Sequence, residues 1–366
     1  MHIPDGYLSP QTCAAGFAVA APVWYTAARR VKRVVRNRNV PMLAVLAAVC
    51  FLIMMFNIPI PDGTTAHAVG GSLVAILLGP WAAVIAVSVA LAFQALLFGD
   101  GGVLAFGVNA VNMAIVLPFV GYGGYRLIAG SSGLTSRRRV IAAALGGYVG
   151  INAAALCTGI ELGIQPDLFH NAAGAPLYAP YHLAQAVPAM MLAHLLVAGF
   201  AEGILSGGVV AYLQRANLPL LRVNHPNVAL PGDADRRQPR RVRPAVVAGA
   251  AVALMVVVTP LGLLAPGGAF GEDAPADLDL AKYHLSAIPS GLNRYNGFWN
   301  HAVLNGYDFR SSSHPALGYL VSAVIGIAVV GLAVFLIGVA IRHFAGRHTD
   351  VEDAQPTHDD RVATSA

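Results

Sequence analysis

Long apolar runs alternate along this chain with short clusters of basic and turn-forming residues. A helix needs about 20 mainly apolar residues to cross the hydrocarbon core of a bilayer. On that measure the runs place spans near 12–29, 41–57, 68–79, 80–98, 103–126, 140–163, 182–213, 244–265 and 316–341. The pattern predicts an all-α polytopic membrane protein, with the lipid bilayer as its solvent. One stretch is ambiguous: residues 68–98 read either as a single span or as two, divided at Gly79-Pro80, a turn signal.

Charge resolves the ambiguity. With the N-terminus outside and nine spans, 20 of the 23 Lys and Arg residues fall on the cytoplasmic side, in 29–38, 126–139, 215–243 and the tail from Arg342. Merging 68–98 into one span would put Arg137, Arg138 and Arg139 outside. The same placement explains the net charge of +5 without nucleic acid. Only 11% of residues are charged, against roughly 25% in soluble domains. Residues 68–79 are too few to cross alone, so the loop before them must dip into a recess, because bare backbone does not face lipid. The chain divides into a seven-helix unit (1–215), a Pro- and Arg-rich cytoplasmic linker (216–243) and a two-helix unit with a long external loop (244–343). A polar tail (344–366) reads as disordered and cytoplasmic.

Cys13, Cys50 and Cys157 are scattered and form neither a disulfide framework nor a thiolate metal knot. The first twelve residues carry no basic residue and do not resemble a signal peptide, so the mature chain is expected to start at Met1. A free amine at Met1, the deprotonated amide of His2 and the His2 Nδ1 can chelate one metal through fused five- and six-membered rings. That leaves one corner of a square plane, a geometry suited to Ni(II) or Cu(II), while imidazole also takes Co(II). Ile60-Pro61-Asp62-Gly63 repeats Ile3-Pro4-Asp5-Gly6 and leads into His67, on the same face as Met1 by the topology above. His67 is therefore the candidate fourth ligand.

Gln94, Asn109 and Asn112 flank the external turn 99–102 and can orient the histidines or bond between helices. His194 and Glu202 lie deep in the seventh span, where ionisable groups face the bundle interior as a relay or a structural pair. Gly199, Gly203 and Gly207 make a small-residue stripe, a candidate contact for a partner subunit. No Walker lysine motif and no H-E-x-x-H occur, which argues against an ATPase or a zinc protease.

The motifs MHIPDGYLSP, PDGTTAHAVGGSL, LLGPW, FQALLFGDGG, FGVNAVNMA and AHLLVAGFAEG are similar to those of the CbiM/NikM family. That family supplies the substrate-capture components of energy-coupling-factor cobalt and nickel transporters, and the resemblance runs from Met1 to Leu213. It implies an S-component-like bundle, a metal site of Met1, His2 and His67, and Ni2+ or Co2+ as cargo with no organic cofactor. The implied partners are a transmembrane coupling component and a cytosolic ABC-type ATPase. Residues 244–343 resemble the small CbiN/NikN (PDGLE-type) partner, here fused. Pro289-Ser290-Gly291-Leu292-Asn293 stands where those proteins read Pro-Asp-Gly-Leu-Glu, and both acids are lost. Two other readings stay open: a proton-coupled secondary transporter with His194, Glu202 and Glu161 as its relay, and a membrane metal sensor.

Overall fold

The helices start where the sequence supplies caps. Ser9 accepts from the Thr12 amide and Pro10 opens α1 (Pro10–Arg30) at a position that needs no donor partner. The computed structural model describes residues 1–31, 39–60, 64–228, 244–264, 268–309 and 314–352. The Pro61-Asp62-Gly63 turn, the basic run 32–38, linker residues 229–243 and the tail from 353 lie outside the described residues.

After α2 (Val40–Met54) the chain forms an antiparallel hairpin, β1 (Ile58–Ile60) with β2 (Thr64–Ala66), pairing Ile58 with Ala66. The described arms of the expected recessed loop are therefore paired strands, which satisfies backbone groups that lipid cannot. The third span is a helix of eight residues, α3 (Gly71–Leu78), or about 12 Å. Gly79 follows at φ +92°, and Pro80 opens α4 (Pro80–Phe98), which packs back against α3. The chain breaks at the expected point.

Next come α5 (Phe106–Ala129), α6 (Arg137–Gly163), α7 (Leu183–Ala216) and the short α8 (Leu218–Arg222). α6 packs between α5 and α7. Glycines set these approaches: a Cβ on Gly107 would lie 2.5 Å from the Phe17 amide, and one on Gly16 would lie 2.7 Å from the Val108 amide. The stripe on α7 is used within the chain. Cβ atoms at Gly203 and Gly207 would meet Ala144 on α6, so this face is covered and is not free for a partner subunit. A neighbouring face of α7 exposes Leu196, Phe200 and Ile204.

The C-terminal part holds α9 (Pro244–Val258), the short α10 (Ser290–Tyr295) and α11 (Pro315–Glu352). α11 lies along α2, where Cβ atoms at Gly326 and Gly338 would strike Phe51 and Val40. Among the described residues five helices are long and apolar enough to cross a membrane: α4, α5, α6 with its extension to Leu168, α7, and α11 as far as His343. The protein is thus a helical multi-pass membrane protein with one small hairpin among the described residues.

Candidate metal centre

Residues 1–9 thread into the bundle instead of trailing from it. Met1, His2 and Ile3 are buried, and the Ile3 backbone exchanges water for partners inside the protein. The Ile3 amide donates to Asn109 Oδ1 at 2.9 Å, and its carbonyl accepts from Asn109 Nδ2 and the Gly102 amide. The Asp5 carboxylate accepts from the amides of Val103, Leu104 and Ala105, clamping the turn before α5. The Ser9 amide donates to Gln165 Oε1 at the far end of α6. Gly102 permits the crossing, since a Cβ there would sit 2.1 Å from Asp5 Oδ1.

This arm delivers His2 to His67. His2 Nδ1 stands 3.2 Å from His67 Nε2, with ring centroids 4.9 Å apart. His67 Nδ1 lies 3.0 Å from the Ala68 carbonyl, so that nitrogen carries the proton and Nε2 presents its lone pair. Three donors from Met1 and His2 would occupy consecutive corners of a square. A fourth must stand opposite the amide and beside His2 Nδ1. Bonds of about 2 Å separate neighbouring donors by about 2.8 Å and opposite donors by about 4 Å. The observed spacing is that of neighbours. Among the described residues no three His, Cys, Asp or Glu side chains form a metal-holding group by themselves. Four donors are reached only by counting the terminal amine and the His2 amide.

The surroundings are acidic. The Met1 amine pairs with Glu272 Oε1 at 3.2 Å, and His2 Nδ1 lies 3.4 Å from Asp100 Oδ1. Burial, and then the charge of the amine, push the His2 imidazole down to about 3 and hold His67 well below the ordinary histidine range. Both rings are neutral, the form that ligates metal. Burial raises the carboxyls of Asp100 and Glu272. Tyr307 donates to Asp100 Oδ2, and Gln94 Nε2 donates to both Asp100 Oδ2 and Tyr307 Oη. His2 Nε2 and Gln94 Oε1 are buried without hydrogen-bond partners. A metal on His2 Nδ1 would move the ring proton to Nε2, and Gln94 Oε1 is the acceptor at hand. Outside this cluster a cavity of about 650 Å3 opens, lined by His2, Asp5, Asp100, Glu272, Asp273 and Asp308 among others.

The structure gathers Met1, His2, His67, Gln94 and Asn109 at one place. His194 stands beside them, its π-turn packed on the β1–β2 hairpin that leads into His67 and its ring within electrostatic reach of His67 and the Met1 amine, whereas Asn112 and Glu202 bond elsewhere. Asn112 Nδ2 reaches Thr158 and Glu161, further along α5 and α6. The Glu202 carboxylate accepts from the amides of Val69, Gly70 and Ser72, capping α3 directly after His67. His194 Nδ1 bonds the Met190 carbonyl, and its Nε2 is buried without a partner. His194 and Glu202 share no bond. Asp100, Glu272 and Tyr307 carried no signal in the sequence beyond Asp100 standing in a glycine turn. Gln94, Asn112 and His194 all lie in π-helical turns of α4, α5 and α7, a feature enriched at functional sites.

A family model described as the cobalt uptake substrate-specific transmembrane region matches residues 2–220. The fused nickel transport protein NikMN of Rhodobacter capsulatus is 46% identical over 342 residues, covering 90% of this chain and 95% of its own. A probable fused nickel transport protein, LarMN of Lactiplantibacillus plantarum, is 45% identical with the same coverage. A crystal structure described as a truncated transition metal transporter shares 58% identity at a TM-score of 0.55, covering 58% of this chain and 98% of that one.

Proposed function

The chain belongs to the CbiM family of cobalt-uptake transmembrane proteins, and from that premise we propose that it is the metal-capture subunit of an ATP-driven importer. The cargo is Ni2+ or Co2+, held by the Met1 amine, the His2 amide nitrogen, His2 Nδ1 and His67 Nε2. The observation that carries this reading is the His2–His67 pair at 3.2 Å, buried and neutral at the inner end of an acidic cavity. Nickel is favoured. Two relatives that cover nine-tenths of this chain bear the names of nickel transport proteins, and four nitrogens in a plane suit Ni(II).

Capture then proceeds as a series of proton losses. A divalent ion enters along Asp273, Glu272 and Asp100, whose charge draws it inward. The Met1 amine sheds its proton as it leaves Glu272 for the metal. The His2 amide follows, which is feasible because amine and imidazole anchor the ion on either side. The bound complex carries one positive charge, which one ionised carboxylate of the Asp100 and Glu272 pair balances while burial favours a proton on the other. The chain has no nucleotide-binding motif, so the energy comes from a coupling component and an ABC-type ATPase in complex with it. Engagement of Glu202 by three backbone amides argues against the proton-relay alternative.

The test is isothermal titration of Ni2+ into purified protein at fixed pH in two buffers of different ionisation enthalpy. Net release of protons on binding is expected. Tight binding without proton release would exclude the amide-containing chelate.

A further inference from the structure

α5 begins beside the metal centre and runs 24 residues, roughly 36 Å, to the other end of the bundle. There a cavity of about 360 Å3 opens between α5, α6 and the segment after α8, lined by Tyr122, Tyr125, Arg126, Arg139, Asn224 and His225. Among the described residues no carboxylate lines it. Arg139 is only 3% exposed, yet all its acceptors are neutral. Its Nε donates to the carbonyls of Ser132 and Gly133, Nη2 to Ser132, and Nη1 to the Tyr125 hydroxyl at 2.7 Å. Of its five N–H groups one on each Nη is left over. Among the described residues no carboxylate forms an ion pair with Arg139 or with the exposed Arg126.

Buried charges are ordinarily paired. This one is crowded by its own sign instead. α6 opens with Arg137, Arg138 and Arg139 and no acid in its first turn, so three cations stand at the positive end of the helix dipole. His225 Nε2 lies 3.2 Å from the Tyr125 hydroxyl, and burial, then the charges of Arg139 and Arg126, push its imidazole down to about 4. The histidine is neutral and relieves none of the repulsion. Among the described residues nothing supplies an anion within reach of the two guanidinium groups.

We propose that this cavity binds a phosphate group, the headgroup phosphate of an anionic phospholipid. Two guanidinium groups match phosphate oxygens, and basic pockets between membrane helices hold such headgroups. Leu127 is 84% exposed and Ile141 56%, adjacent to Arg126 and two residues from Arg139, which places bare apolar surface beside the cavity for acyl chains.

The experiment is native mass spectrometry of the full chain in a zwitterionic detergent, with added phosphatidylglycerol, phosphatidylcholine or inorganic phosphate. Arg126→Gln is the test variant, because Arg126 is exposed and supports no contact in the fold. Arg137→Gln, an exposed arginine that does not line the cavity, is the control. Metal binding reports that each variant is folded. Phosphatidylglycerol is expected to be retained at least tenfold over phosphatidylcholine, to fall about tenfold in Arg126→Gln, and to hold in Arg137→Gln. Millimolar phosphate should displace it. Equal retention of both lipids, or equal weakening by both variants, would overturn the site. Phosphate binding that depends on Arg126 without any preference between lipids would overturn the lipid and assign the cavity to the free anion. Unchanged lipid retention in Arg126→Gln, with loss of a co-purifying coupling component, would overturn it in favour of an acidic partner segment.

Discussion

At the scale of single residues, the two histidines are not equivalent. His2→Ala removes an imidazole that also closes the ring around the amide, so it dismantles two of four donors. His67→Ala removes one and leaves a tridentate site. Both should weaken Ni2+ by more than the roughly 10–100-fold that loss of an outer partner causes, with His2 the more severe. Gln94→Leu, which leaves Asp100 and His2 Nε2 without that amide, belongs in the 10–100-fold class. Titration of the purified variants decides this, and unchanged affinity in either histidine variant removes the four-nitrogen site. An N-terminal extension should be as damaging as His2→Ala. Met1 is buried with its amine on Glu272, and one added residue turns the amine into an amide that donates poorly. Uptake in cells carrying the partner subunits, with membrane levels checked by blot, reads this out; full uptake by the extended protein would exclude the amine. His2 and His67 were legible in the sequence because a repeated Ile-Pro-Asp-Gly flags both. Glu272 was not, because 271 residues separate it from Met1 and one acid in a loop of several has no pattern.

At the scale of elements, apolar runs and proline positions located the helices, and Gly79-Pro80 marked the break between α3 and α4. Uniformly apolar sequence hides what happens inside a helix. The polar residues Gln94, Asn112 and His194 stood out in the sequence, but the π-turns that hold them leave no trace in runs otherwise hydrophobic or small. Nor does sequence say which side a stripe faces, and Gly199, Gly203 and Gly207 turned out to seat α6. Glu202 is the instructive case, since burial in a membrane helix suggests a relay while its three bonds to Val69, Gly70 and Ser72 describe an anchor. Hydrogen bonds to a charged group contribute roughly 1.5–3 kcal/mol. Glu202→Gln keeps one acceptor and loses the charge, so a cost of about 2 kcal/mol is expected. The variant should show a lower Tm, with Ni2+ affinity within a few-fold of the parent. A relay would give the reverse pattern, transport lost at unchanged Tm, and that result would restore the proton-coupled reading.

At the scale of the whole molecule, the contacts sort the described loops to one of two ends. Met1, the turn 99–105, Gln165 and the segment 268–309 meet at the metal centre: Ile3 bonds Gly102, Ser9 bonds Gln165, and Tyr7 donates to the Asp273 carbonyl. Gly79 lies at the other end, where Asn224 donates to the carbonyls of Ala75 and Ile76 and lines the arginine cavity. α3 therefore runs away from the metal centre and α4 returns to it, so the turn 130–136 lies opposite Met1. If the basic clusters mark the cytoplasm, the metal centre faces outside. Single cysteines at Ala172 and Ala276, both exposed, should react with a membrane-impermeant maleimide in intact cells. A cysteine at Ser131, also exposed, should react only after permeabilisation. Cys157, half-buried, is first replaced by Ala; Cys13 and Cys50 are buried and can stay. Labelling at Ser131 alone would invert the protein and place capture on the cytoplasmic side, which an importer cannot use. Labelling at all three positions would mean that α6 does not carry the chain from one face of the membrane to the other. Either result would break the link between the acidic cavity and entry from outside, while labelling at 172 and 276 alone leaves the ion one way in, past Asp273 and Glu272 to His2.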